Sequence, residues 1–462
     1  MGWYDQFKGL IKSNLRVVIK PKTTTRPGVT PKVVTPPANS KIKYMMNDIT
    51  TPELIKDVNV PTISIGPRFT VTGYKGGGYA LNTIQGQAAN VYVTIANTIN
   101  NVNLLAEKKF LKWSAVVNLA VIPRAGRMLN AFYNRRSLSF FYYTDRVSRL
   151  DFYAADSADV VAHELGHAIL DSYRPDLWNV ASMEVWAFHE SFGDLTSMLS
   201  MMTNDEVLNY VYRTTGGNLR TFNAISSLAE DFGRVAAQYT GNQEKRWLRS
   251  AINNFVYAIP EGLPEDGPDT ILTSEPHNFS RVMTATFYDL WLAFYDHFRV
   301  QGIEPIQAMK EARNTLGKYV LEAIRTAPNT SAFFSGMATA MLAVDGKYGN
   351  VHHAQMHQTF MNRGILGHFS ALNHVHNEDH CCHEIKLCDC GPISAQGHNP
   401  LYEFKIDVSS KDETTITAAK IAVDFLHRKG KVSDDTNTPF EISNGKLIRS
   451  HFSCDCGIKT LK

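Results

Sequence analysis

Before Cys381 the chain has no cysteine, and all six of its cysteines fall between Cys381 and Cys456. Disulfide staples are therefore excluded from most of the protein, and 462 residues are enough to bury a core of two or three domains without them. No uninterrupted apolar run approaches the ~20 residues needed to cross a bilayer. Charge of one sign does not dominate either. The 47 Lys and Arg against 44 Asp and Glu leave a net +3, so neither nucleic acid nor an acidic substrate is implied. The N-terminus lacks the charged start, apolar core and small-residue cleavage site of a secretory signal. The expected location is the cytoplasm of the producing cell, with export by a signal-peptide-independent route as the alternative.

What the chain does contain is His163-Glu164-Leu165-Gly166-His167, inside Asp159–Leu170, whose apolar spacing predicts a buried helix. At about 3.6 residues per turn, positions four apart share a face. His163 and His167 can thus offer two imidazoles to one metal ion, with Glu164 placed to reach a water at that ion. The competing reading is a core helix with two hydrogen-bonded histidines. A second helix is predicted over Glu184–Leu199, where Phe188, Phe192, Leu195 and Leu199 recur at helical spacing. A catalytic zinc takes three protein ligands and keeps one position open. Glu184, His189 and Glu190 compete for the third place. Asp194, one turn after Glu190, could accept the second N–H of a ligand histidine.

Val160–Ala168, followed by Asp171, resembles the zinc helix of the thermolysin-like (gluzincin) metallopeptidases, and Glu190-x-x-x-Asp194 resembles that family's E-x-x-x-D helix. The resemblance implies His163, His167 and Glu190 as zinc ligands, Glu164 as catalytic base and Asp194 as the aspartate supporting the ligands. It continues in the family's order. Asn130–Asn134, ahead of Ser137–Tyr142, resembles the edge strand on which substrate is laid, which implies Asn130 and Ala131 as substrate-binding residues. Leu248-Arg249-Ser250 resembles the segment whose arginine holds a substrate carbonyl, and His277 stands where the family has its transition-state histidine. The likeness spans residues 60–367, with departures. No tyrosine stands at the family's usual distance before Glu190, which leaves Tyr173 as a substitute for the oxyanion contact. The aspartate that orients the family's histidine is missing at its usual spacing, leaving Asp269 or Glu275. No acidic cluster after Glu190 matches the family's calcium sites, so calcium is not expected.

Residues 1–59 read as a basic leader. Trp3, Phe7, Leu10 and Ile11 make one face of a helix over 3–20, with Lys8, Lys12, Arg16 and Lys20 recurring every fourth residue. That helix either docks on a partner or membrane surface, or shows a solvated basic face; a Pro/Thr/Lys-rich linker follows. From 60 to 150 the pattern is mixed: β-branched runs near Phe69–Thr72, 117–122 and 137–143 surround a helix near 86–107. From 158 to 367 nearly everything reads as helix, including 305–325 and 330–344. The expected fold class is α+β, a two-lobed thermolysin-like metallopeptidase whose mixed and helical lobes meet near the 158–172 helix. Residues 368–400 form a His/Cys-rich linker, and 401–462 a small α/β domain reading strand, helix (414–428), strand, strand. Cys388-Asp389-Cys390-Gly391 recurs as Cys454-Asp455-Cys456-Gly457. Cys388, Cys390, Cys454 and Cys456 could hold a second metal, close disulfides, or remain free thiols.

The expected function is zinc-dependent endopeptidase activity on a peptide or protein substrate, with one catalytic Zn and neither nucleic acid nor a transmembrane segment. Two alternatives stand beside it. One is a catalytically weak, thermolysin-like peptide-binding protein. The other is an effector, toxin cargo or structural component of a delivery assembly, with the leader and the C-terminal domain as docking parts.

Overall fold

The computed structural model describes residues 41–366 apart from 78, 82, 145–150, 181, 234 and 236–246, together with the backbone of three C-terminal strands. It begins with an antiparallel hairpin, β1 (Lys41–Met45) and β2 (Ile55–Asn59). Ile42 and Tyr44 alternate inward from β1, and the Met45 N–H donates to buried Asn90 at 3.0 Å. The expected boundary at residue 59 is corrected by these contacts: 41–59 belongs to the packed body, because the period-2 alternation of β1 buries one face of the hairpin. The Asn90 that receives it lies on the first helix of the mixed region.

That region holds β3 (Arg68–Val71), α1 (Ile84–Leu105), β4 (Asn118–Ile122), β5 (Ala131–Tyr133), β6 (Ser137–Phe140), β7 (Tyr142–Thr144) and β8 (Asp151–Tyr153). Thr83 caps α1 by accepting the Gly86 N–H at 3.0 Å. β3, β4 and β6 run parallel, and β5 pairs antiparallel with β6 at the sheet's edge. The strand read over 137–143 is two strands, parted at Phe141, whose N–H turns to the Asn130 carbonyl (3.2 Å).

The helical region comprises α2 (Ala158–Tyr173), α3 (Met183–Met201), α4 (Asp205–Thr214), α5 (Pro276–Val300), α6 (Pro305–Ala323), α7 (Phe333–Lys347) and α8 (His353–Asn362). It is not wholly helical. A two-residue pair, β9 (Ser227–Leu228) with β10 (Arg249–Ser250), interrupts it, and 251–275 is largely irregular. Pro260, Gly262, Pro264, Gly267 and Pro268 deny that stretch helical continuity. At the start of α5, Glu275 accepts the Asn278 N–H at 3.0 Å and Pro276 occupies the first turn, a start built from a cap and a preset φ. One continuous hydrophobic core joins hairpin, sheet and helices, from Ile42 through Phe152, Leu165, Phe188, Phe287 and Trp291 to Ile365. The class is α+β, as the sequence indicates. Among the described residues, no helix is long and apolar enough to cross a membrane.

Near the C-terminus, β11 (Phe404–Asp407), β12 (Glu441–Ser443) and β13 (Lys446–Arg449) form an antiparallel sheet in the order β11-β13-β12. The expected 414–428 helix, all six cysteines, and the 3–20 helix with its linker lie outside the described residues.

Candidate metal centre

Helix α2 presents His163 and His167 one turn apart, and α3 brings Glu190 against them. The two Nε2 atoms are 3.2 Å apart. Glu190 places Oε2 3.4 Å from His163 Nε2 and Oε1 3.7 Å from His167 Nε2. A tetrahedral shell with bonds of about 2.0–2.1 Å has ligand–ligand edges of about 3.3 Å. Two imidazoles and one carboxylate therefore stand where three corners of such a shell would be. The trio could hold a metal ion, and it is the one such group among the described residues.

Two glycines permit the approach. A Cβ on Gly166 would lie 2.8 Å from Gly193 Cα, and one on Gly193 would lie 2.7 Å from His163 Cε1 and Nδ1. The imidazole occupies the space a side chain at 193 would need. Glycine inside two strongly patterned helices was the available signal, and sequence reading passed over it.

Behind the triangle, His163 Nδ1 meets Asp194 Oδ1 at 3.0 Å. Asp194 also accepts from Arg249 (Nη2 at 2.7 Å, Nε at 3.2 Å) and from Thr284 (2.9 Å). Burial opposes charge on Asp194, but Arg249 and His163 prevail and hold its carboxyl at about 2. An ionised Asp194 keeps a proton on Nδ1 of His163 and leaves Nε2 toward the ligand position. Burial likewise disfavours charge on His163, yet the hydrogen bonds to Asp194 and Glu190 raise it to about 10. His167, lowered by burial to about 3, is neutral. Glu190 stays well below the usual carboxylate range because His277, His163 and His167 outweigh its burial. At neutral pH a binding metal would thus meet one free imidazole and one carboxylate, and would displace a proton from His163.

Glu164 is buried beside these groups, and burial raises its carboxyl to about 7. His277 reaches the triangle from α5, with Nε2 3.3 Å from Glu190 Oε2 and Nδ1 2.6 Å from Glu275 Oε1. Glu275 rather than Asp269 is the carboxylate on this histidine.

The rival ligands stand elsewhere. Glu184 accepts from the Tyr257 hydroxyl (2.6 Å) and the Phe334 N–H (2.7 Å), so it anchors the start of α7 to α3. His189 lies beside His167 and Trp178, ring centroids 5.9 Å from each, outside the ligand trio. Tyr173 donates to the Lys108 carbonyl at 2.8 Å, so the expected substitute for the oxyanion tyrosine is turned away. Arg249, expected to hold a substrate carbonyl, is bound to Asp194, with Nη1 4.0 Å from Glu190. Strand β5 packs beside α2, and Tyr133 donates to Asp171 at 2.9 Å. Asn130 Oδ1 accepts the Ala131 N–H at 3.0 Å, while Ala131 is paired with Phe140 on the inner side of the edge strand.

A buried acidic group that sequence reading missed braces the start of α2. Asp159 accepts from Ala229, whose φ of 56° is left-handed, while Asp48 accepts the Asp231 N–H at 2.8 Å and Glu230 accepts from Asn47 at 3.3 Å. Burial, then repulsion from Asp159, raises Asp48 to about 7, and burial raises Asp156 to about 7. Scattered over nearly two hundred positions, these carboxylates carry no local signature.

No family model matches this chain, and no curated protein is similar to it.

Proposed function

We propose that this protein is a zinc-dependent endopeptidase of the two-lobed thermolysin-like type, cleaving an extended peptide laid along β5. The observation that carries the reading is the His163–His167–Glu190 triangle at coordination spacing, flanked by buried Glu164 and faced by His277. The borderline nitrogen and oxygen donors suit zinc. When bound, zinc supplies a Lewis acid that polarises a peptide carbonyl and acidifies water. Glu164, with its carboxyl near 7, accepts a proton from the attacking water at neutral pH and returns it to the leaving amine. His277, held at Nδ1 by Glu275, aims Nε2 at the triangle, where it donates to the oxygen on which charge develops. Arg249 keeps Asp194 ionised and His163 in register. The free edge of β5 pairs with the substrate main chain, helped by Asn130.

The test is metal content and proteolysis of wild type beside Glu164→Gln. The reading expects one zinc in each and a loss of turnover of ~10²–10⁴-fold in the variant. Equal turnover refutes it. The rotation of Tyr173 away from the centre favours one second reading, a peptide-binding protein of weak activity, which predicts peptide binding without cleavage by either form.

A further inference from the structure

Arg281 lies one helical turn beyond His277 on α5, so the two side chains leave the same face. Its carbonyl accepts Asn253 Nδ2 at 3.2 Å, and that amide also donates to the Ser250 carbonyl at 3.0 Å. This turn of α5 is thereby tied to β10, whose other residue is Arg249. Arg281 thus follows His277 on a turn joined to the strand that carries the arginine supporting the metal centre.

Two other partly buried arginines, Arg174 and Arg363, bring both Nε and a terminal nitrogen to acceptors. Arg174 donates to the Ile324 and Ala327 carbonyls and to Asp176, and Arg363 to the Asn253 and Phe255 carbonyls and to Asp289. Arg281 does not. Its guanidinium lies 4.3 Å over the Phe255 ring, Nη1 donates to the Asp269 carbonyl at 2.7 Å, and Nε is buried with no hydrogen-bond partner. Burial is the largest influence and disfavours its charge; nearby Asp269 offsets this in part, and Arg249 adds to it. An ionised donor left this way is costly unless an acceptor arrives.

We propose that Arg281 is a specificity-determining residue that pairs with a carboxylate of the substrate peptide near the scissile bond. A carboxylate is planar and acceptor-only, and it matches the guanidinium fork in a way a carbonyl or an amine does not. It can come from an Asp or Glu side chain or from a free C-terminus. The inference rests on the peptide-cleaving reading of the metal centre, and its test is chosen to separate the two.

Labelled peptides carrying Glu or Gln at a set position, each as free acid or amide, are titrated by fluorescence anisotropy against zinc-loaded Glu164→Gln protein. Peptides with the recognised carboxylate should bind ~10-fold or more tightly than their neutral counterparts. The Glu amide and the Gln acid identify which carboxylate is read. Arg281→Leu, added to the same background, should erase the preference at unchanged zinc content, and Arg281→Lys should restore part of it. Equal affinity for charged and neutral peptides, no binding of the charged ones, or a preference that survives Arg281→Leu overturns the inference. A carboxylate preference that depends on Arg281, in a protein whose wild type cleaves nothing, sustains it and removes the peptidase reading instead.

Discussion

Gly193→Ala tests the packing argument most directly. The added Cβ would sit 2.7 Å from His163 Cε1 and Nδ1 and 3.0 Å from Cγ. Carbon contacts relax only near 3.5–4.0 Å, so the imidazole or the helix must move by roughly 1 Å. The ring has little freedom to yield, because Asp194 holds Nδ1 at 3.0 Å and Gly193 itself abuts the Gly166 turn. Two effects compete in stability. Alanine inside α3 gains about 1 kcal/mol of helix propensity over glycine, while overpacking costs typically 1–3 kcal/mol. The net loss should be about 0–2 kcal/mol, and the protein should still fold. Metal binding is far less tolerant, since ligand distances must fall within about 0.2 Å of ideal. A displaced His163 should weaken affinity at least as much as a lost supporting partner does, by ~10–100-fold or more. Competition with a chromophoric chelator reads the affinity, and thermal unfolding of the metal-free protein reads the stability. Metal affinity equal to wild type in a folded Gly193→Ala protein would refute the claim that this glycine exists to seat the ligand.

The two carboxylates of α3 should separate cleanly. Glu190→Ala should abolish stoichiometric metal binding, whereas Glu184→Ala should keep it and lose stability by roughly 2–4 kcal/mol, having stranded the Phe334 N–H and the Tyr257 hydroxyl. Metal loss in the Glu184 variant alone would reverse the assignment. His277→Ala should lower kcat with metal content unchanged, since its Nε2 faces the triangle without belonging to it; a pure rise in KM would place it on the substrate instead. Asp48, raised from 3.8 to about 7, binds its proton more tightly folded than unfolded. Its contribution is therefore full below pH ~4 and lost as pH rises through 7, by roughly 2–4 kcal/mol. Chemical denaturation from pH 4 to 8 should show that decline in wild type and a flatter profile in Asp48→Asn; identical slopes would exclude Asp48 as its source.

The helix of His163 and His167, its partner helix and the α+β class were legible in the chain because they depend on local periodicity. His163, Glu164 and His167 must share one surface of any helix that forms there, and Glu190 and Asp194 must do the same on the next. The strands near Phe69, Leu119 and Leu138 follow equally from β-branched and alternating runs. What needed tertiary structure was every choice among chemically equivalent candidates. Glu184 and Glu190 differ little as sequence, and only the packing of α7 against α3 turns one into an anchor and leaves the other facing the histidines. Tyr173 was a candidate by type, but the direction of its side chain sends it to Lys108. Glu275 prevailed over Asp269 because it also caps α5, which places its second oxygen on His277. The hairpin at 41–59 looked like leader because five-residue strands without a helix period resemble linker until α1 covers them. The buried group of Asp48, Asp159 and Glu230, and the half-used fork of Arg281, had no sequence signature at all. Local spacing decides which side chains a single element presents together, but burial and pairing between distant segments arise only when the chain has closed on itself.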